Sequence, residues 1–204
     1  MQRVLFLLSL VLLLLPVSAL ADSSVDFGNS GGTLSGDNSG LTLTGSTLDV
    51  VIGLDGLGKI TGDLGTVEFS TGALTVGTVK TGGMFAAGGT FTITGNGTNG
   101  ITNGVIFSGT FSSPVTWTLV TLPDGTHNYT LTGTISGSLL GSSASGVTVQ
   151  LTINTGTGYF EGTTMIASGD TSITVAVPEP GTLGLLGTGL LAMAGLLRRR
   201  LGGS

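Results

Sequence analysis

Between residues 22 and 177 apolar and hydroxyl-bearing side chains alternate with a period of two. Leu41-Thr42-Leu43-Thr44, Thr90-Phe91-Thr92-Ile93-Thr94, Thr116-Trp117-Thr118-Leu119, Tyr129-Thr130-Leu131-Thr132 and Val147-Thr148-Val149-Gln150-Leu151-Thr152-Ile153 all follow the pattern. Successive side chains of an extended chain point to opposite faces, so these segments predict half-buried strands with threonine turned to water. No stretch of this span keeps an apolar period of 3.6, and glycine, asparagine and serine break it about every ten residues. The pattern predicts an all-β body, an antiparallel β-sandwich of jelly-roll type. The frequent glycine and threonine leave a β-solenoid as the alternative, although the turn spacing drifts and no fixed repeat length emerges.

The clearest local prediction is a hairpin. Val115 to Leu122 runs out, Pro123-Asp124-Gly125 turns, and His127 to Ser136 returns. Trp117 and Tyr129 then lie on neighbouring strands about one residue pair apart. They are candidates for carbohydrate contact as an exposed aromatic shelf, against the commoner outcome that they cover one end of the core. Asn29 to Gly40 is low in apolar content and reads as loop. So does Gly95 to Gly104 with its three Asn-Gly pairs, and Ser142-Ser143-Ala144-Ser145 reads as a flexible connector.

The two ends follow a different logic. Arg3 precedes Val4 to Leu15, a run in which only Ser9 is polar, followed by Pro16 and an Ala19-Leu20-Ala21 ending. As a helix the run rises about 18 Å, too short for a hydrocarbon core of about 30 Å. A charged start, an apolar centre and an Ala-x-Ala site predict a signal peptide over residues 1–21, read by the secretion translocon and cut by signal peptidase after Ala21. The mature chain is then expected to begin at Asp22.

At the other end Gly181 to Leu197 carries no charge and only Thr182 and Thr188 as polar residues, and Arg198, Arg199 and Arg200 close it. Its length is at the lower edge for a transmembrane helix, and the arginines predict a cytoplasmic end. Gly184, Gly187 and Gly195 each weaken such a helix by about 1 kcal/mol relative to alanine, which suits close approach to another helix or a segment handled transiently. Directly before it, Pro178 and Pro180 fix φ around Glu179 and hold the chain extended, a form a protease cleft can read. A plain membrane anchor is the simpler alternative.

In order and spacing, Pro178-Glu179-Pro180, the segment 181–197 and Arg198 to Arg200 resemble the tripartite sorting signal of the PEP-CTERM family of bacterial surface proteins. The resemblance covers about the last 27 residues. It implies that an exosortase, a membrane-embedded enzyme of Gram-negative bacteria associated with exopolysaccharide production, recognises and cleaves the chain near the motif. The protein is then a substrate, transiently anchored in the inner membrane and destined for the cell surface or extracellular matrix. The tail Leu201 to Ser204 is slightly longer than a bare arginine ending.

Charge and chemistry narrow the role of residues 22–177. Lys59 and Lys80 face ten carboxylates there, and the whole chain has a net charge of −5, so no basic patch exists for nucleic acid. The chain has no cysteine and one histidine, His127, which excludes thiol chemistry and Cys- or His-clustered metal sites. His127 reads as a polar surface residue of the hairpin. No Gly-x-Ser-x-Gly elbow leads from a strand into a helix. Asp49, Asp55 and Asp63 lack the dense alternating oxygens of a calcium loop, and Gly53 to Gly58 is not a phosphate-binding fingerprint. A glycosidase-like pair drawn from Asp49, Asp55, Asp63 and Glu68 is the remaining enzymatic option. The expectation is a non-enzymatic surface protein without metal or cofactor, structural or adhesive in an exopolysaccharide layer, with a carbohydrate-binding module or carboxylate-dependent glycoside hydrolase as alternatives.

Overall fold

A computed structural model describes residues 22–176, of which Ser23–Val175 form one compact unit. The expected signal peptide with Ala19 and Ala21, the motif Pro178-Glu179-Pro180, the segment 181–197 and Arg198 to Arg200 lie outside the described residues. Thirteen strands follow in chain order: β1 (Asp22–Ser30), β2 (Thr33–Asp37), β3 (Gly40–Ile52), β4 (Lys59–Ser70), β5 (Leu74–Thr78), β6 (Gly82–Phe85), β7 (Gly88–Asn96), β8 (Asn103–Phe111), β9 (Val115–Thr121), β10 (His127–Leu139), β11 (Ser142–Asn154), β12 (Thr163–Met165) and β13 (Ser168–Ala176). Among the described residues the only helical turns are two 3-10 segments, Leu54–Gly56 and Thr98–Gly100. The body is all-β.

Its strands do not divide into the two sheets of a sandwich. One ladder runs β1-β3-β4-β7-β8-β10-β11-β13, and β13 lies beside β1, so eight strands close into a barrel. Nor do they stack as a solenoid, because the ladders from β1 through β8, β10 and β11 to β13 are antiparallel. Closure removes the exposed strand edges that an open sheet of this size would present. Alternation alone predicts one buried face per strand, which a sandwich and a barrel share; the choice between them rests on the non-local pairing of β13 with β1.

Two long strands each serve two neighbours on one edge. β10 pairs with β11 along its length, while its other edge meets β9 over His127–Thr132 and β8 over Ile135–Leu139. β3 likewise pairs with β4, and its other edge meets β2 over Gly40–Thr44 and β1 over Thr47–Ile52. The barrel therefore carries two extensions, β9-β6-β5 and β2-β12.

The predicted alternation is visible in the packing. Val147, Val149, Leu151 and Ile153 of β11 are buried, while Thr148 and Gln150 between them are exposed. One continuous apolar core results. Within it Phe69 stacks on Phe91 at 6.1 Å, and Phe111 stands edge-on to both at 6.0 and 6.3 Å, the favoured aromatic geometries.

Glycine allows the strands to bend this tightly. Gly65 has φ +147°, and a Cβ there would lie 1.9 Å from the Thr94 carbonyl oxygen. Gly137 faces Gly109 across β8 and β10, and its Cβ would lie 2.1 Å from the Ser108 carbonyl oxygen. Such close backbone approach is how a small barrel turns its corners.

Three expected loops are more ordered than the sequence pattern suggests. Asn29 to Gly40 contains β2, which pairs with β3 on one edge and β12 on the other. Its order comes from backbone ladders and from Leu34, its one fully buried apolar side chain, rather than from an alternating apolar run. Ser142 to Ser145 begins β11, directly after a two-residue turn in which Leu140 and Gly141 have φ +47° and +84°. The Gly95 to Gly104 stretch narrows to a loop over 97–102 between β7 and β8.

Candidate functional site

The predicted hairpin forms as β9 and β10, with the Leu122 amide donating to the Thr126 carbonyl at 2.8 Å and the Gly125 amide to the Leu122 carbonyl at 2.9 Å. Trp117 pairs with Leu131 and Tyr129 with Leu119, so the two aromatic residues are diagonal neighbours on one face. That face is the interior: Trp117 is 1% and Tyr129 0% exposed. An open shelf for sugar stacking at Trp117 and Tyr129 is therefore not what these strands present; the rings are core.

Their polar ends are the informative part. The Trp117 Nε1–H donates to the Val79 carbonyl at 2.8 Å, and the Tyr129 hydroxyl donates to the Lys80 carbonyl at 2.5 Å. The same hydroxyl accepts from the Phe160 amide at 3.0 Å. Two buried rings thus hold the β5–β6 turn and the segment before β12, satisfying donors that burial would otherwise leave at a cost.

Outside this anchor lies a small polar cluster that sequence reasoning did not assemble. His127 is buried, contrary to the surface position expected of it, because the segment 155–160 folds over the hairpin. Its ring stacks on Tyr159 at 4.3 Å, and its Nδ1 is 3.2 Å from the Gly158 carbonyl oxygen. Lys80 Nζ lies 5.4 Å from the Tyr159 ring centre and pairs with Glu161 at 2.7 Å. The hydrogen bond and charge of Glu161 hold the Lys80 ammonium above its ordinary range. Both charges are exposed, so the pair adds little to stability. The Tyr159-Phe160 pair in an otherwise glycine- and threonine-rich segment was the available signal for this region.

Of the acidic residues weighed as a catalytic pair, Asp49 and Asp63 lie on the paired strands β3 and β4, each with a local hydrogen bond, and Glu68 lies further along β4. Asp49 on β3 accepts from the Ser30 hydroxyl at 2.5 Å, Asp63 on β4 accepts from the Asn96 side-chain amide at 3.3 Å, and Asp55 sits in the turn after β3. No group of three or more His, Asp or Glu side chains suited to a metal ion occurs among the described residues. The surface instead offers an open recess of about 540 Å³ on the outer face of β9, β10, β11 and β13, lined by hydroxyls, Gln150 and Asp170.

Residues 176–200 match the family model of the PEP-CTERM protein-sorting motif. The tail is a PEP-CTERM sorting signal. The matched span contains Pro178-Glu179-Pro180, the apolar segment and Arg198 to Arg200. This signal marks a bacterial protein that an exosortase sorts, and with it the chain is a secreted, cell-surface-associated protein. No curated protein matches the chain, and no solved structure matches it. Among the described residues no helix is long and apolar enough to cross a membrane. The barrel packs apolar side chains inward and turns hydroxyls outward, the polarity of a barrel folded in water.

Proposed function

We propose that the chain is exported by its signal peptide, trimmed after Ala21, and cleaved by exosortase near Pro178-Glu179-Pro180. The released barrel is a structural or adhesive component of the exopolysaccharide layer of a Gram-negative bacterium, and it acts without catalysis or cofactor. Before cleavage the segment 181–197 anchors it in the inner membrane with Arg198 to Arg200 in the cytoplasm. The sorting motif over residues 176–200 carries this reading. A barrel filled with side chains, with Asp49 and Asp63 each taken up by a local hydrogen bond, fits a scaffold better than a hydrolase.

The test is the intact mass of protein recovered from the cell surface of its host. The expected species starts at Asp22 and has lost Arg198 to Arg200, and a host lacking its exosortase retains the longer form in the membrane fraction. Surface protein that still begins at Met1 and keeps its three arginines would refute the proposal.

A further inference from the structure

The outer face of β9, β10, β11 and β13 is ordered in a way that the sequence does not announce. Strand register places Thr116, Thr132, Gln150 and Asp170 opposite one another in a single row crossing four strands. All four are exposed and line the same recess. Two residues along, Thr134, Thr148 and Ser172 form a second row in that recess. At ordinary strand spacing the first row is about 14 Å long, and the second lies about 7 Å from it.

Outward threonine occurs around the whole barrel and by itself reflects strand propensity. Two features set this face apart. It is concave, because β10 exchanges β9 for β8 between Thr132 and Ile135 and the connecting residues Ser113 and Pro114 wall the fork. Ser113 Oγ and Thr134 Oγ1 are hydrogen-bonded there. The row also ends in groups stronger than hydroxyls, an amide at Gln150 and a carboxylate at Asp170. A second recess of about 320 Å³ shares Asp170 and Ser172 and carries the furrow on to β1 and β3.

Neither lysine nor arginine lines either recess, so an anionic polymer meets the carboxylates of Asp170 and Asp26 and no counter-charge. No aromatic ring faces the row, so recognition there depends on repeated hydrogen bonds along an extended chain. We infer that this furrow binds a neutral polysaccharide, with Gln150 and Asp170 as its strongest contacts and the threonine hydroxyls aligning the chain. Each site is weak alone and gains through the many equivalent segments of one polymer. The inference rests on the layer-associated reading above and names its contact surface.

Affinity electrophoresis of the full chain in mild detergent tests it, in gels cast with hydroxyethylcellulose, dextran or galactomannan and with alginate as the anionic control. Retardation by at least one neutral polymer and none by alginate is expected. A Thr132→Val/Gln150→Ala variant, altered only at exposed side chains, then loses about fivefold or more of the affinity, the worth of about one hydrogen bond. Thr66→Val, exposed on β4, leaves it unchanged. Absence of retardation in every neutral gel, or equal retardation of the two variants, overturns the assignment. The mass measurement above is independent: a chain trimmed at both ends but not retarded keeps the sorting reading and loses the furrow.

Discussion

The Trp117 indole lies face to face with the Tyr129 ring, centroids 4.9 Å apart and planes inclined by 19°. Each ring sends its polar hydrogen to a neighbouring carbonyl, Val79 or Lys80, so the stack ties the β5–β6 turn to the barrel. Tyr129→Phe strands two partners at once, the Lys80 carbonyl and the Phe160 amide, and is expected to cost about 1–3 kcal/mol in urea melts. Trp117→Phe gives up one bond and costs about 1 kcal/mol from that loss. As the only tryptophan, Trp117 also reports its own burial: its emission is expected to be blue-shifted and to resist acrylamide quenching until the protein unfolds.

Most of this hairpin was legible. Alternation placed Trp117 and Tyr129 on adjacent strands, and Pro123-Asp124-Gly125 named the turn, because both signals are local. Sequence spacing did not reveal that the segment ending in Phe160 would close over His127, since that contact spans 31 residues and depends on where β12 docks. Barrel closure was hidden for the same reason. The row Thr116–Thr132–Gln150–Asp170 is a product of register, and register across four strands is a tertiary fact. The sorting motif over 176–200 was legible because its parts are contiguous in the sequence.

Glycine at the barrel corners gives a sharp contrast between two substitutions. Gly137→Ala drives a Cβ to 2.1 Å from the Ser108 carbonyl oxygen and 2.6 Å from the Gly109 Cα, both backbone atoms that cannot step aside. A loss of about 3 kcal/mol or more is expected from that overpacking. Gly58→Ala meets nothing within 4 Å and has no positive φ, so it is expected to be neutral or to stabilise by up to about 1 kcal/mol through the unfolded chain. Paired thermal melts read both, and similar values for the two would contradict the close approach of β8 to β10.

The two-residue turn between β10 and β11 holds a leucine where asparagine is better suited. Leu140 has φ +47°, a left-handed conformation that costs an ordinary side chain about 1–2 kcal/mol, and Gly141 follows at φ +84°. Asn-Gly is the favoured pair for such a hairpin. Leu140 is 37% exposed, so Leu140→Asn gives up part of a leucine's burial against this relief of strain. A gain of about 1 kcal/mol in denaturant midpoint analysis is expected, and a loss would show that Leu140 packs more tightly than its exposure implies.

Acid should loosen the turns before it reaches the core. Asp124 accepts from the Thr126 amide at 2.9 Å and the Thr126 hydroxyl at 2.8 Å, and these bonds hold its carboxyl below the ordinary aspartate range of about 3.9. Asp37 is lowered in the same way by the Ser39 hydroxyl and amide, the latter at 2.7 Å. A carboxyl depressed in the folded state contributes fully above its unfolded value, and the contribution is lost as pH falls through the folded value, because the unfolded chain binds the proton first. Lys80 runs the other way: its raised value means that the contribution of its ammonium is present at neutral pH and is lost as pH rises through its folded value in alkali. Melting from pH 6 to pH 2 is therefore expected to decline below about pH 4, with a shallower decline in Asp37→Asn/Asp124→Asn, whose amide oxygens still accept the turn hydrogen bonds but do not titrate. If the double variant followed the same curve as the parent, acid sensitivity would have to lie with the other carboxylates of the barrel wall.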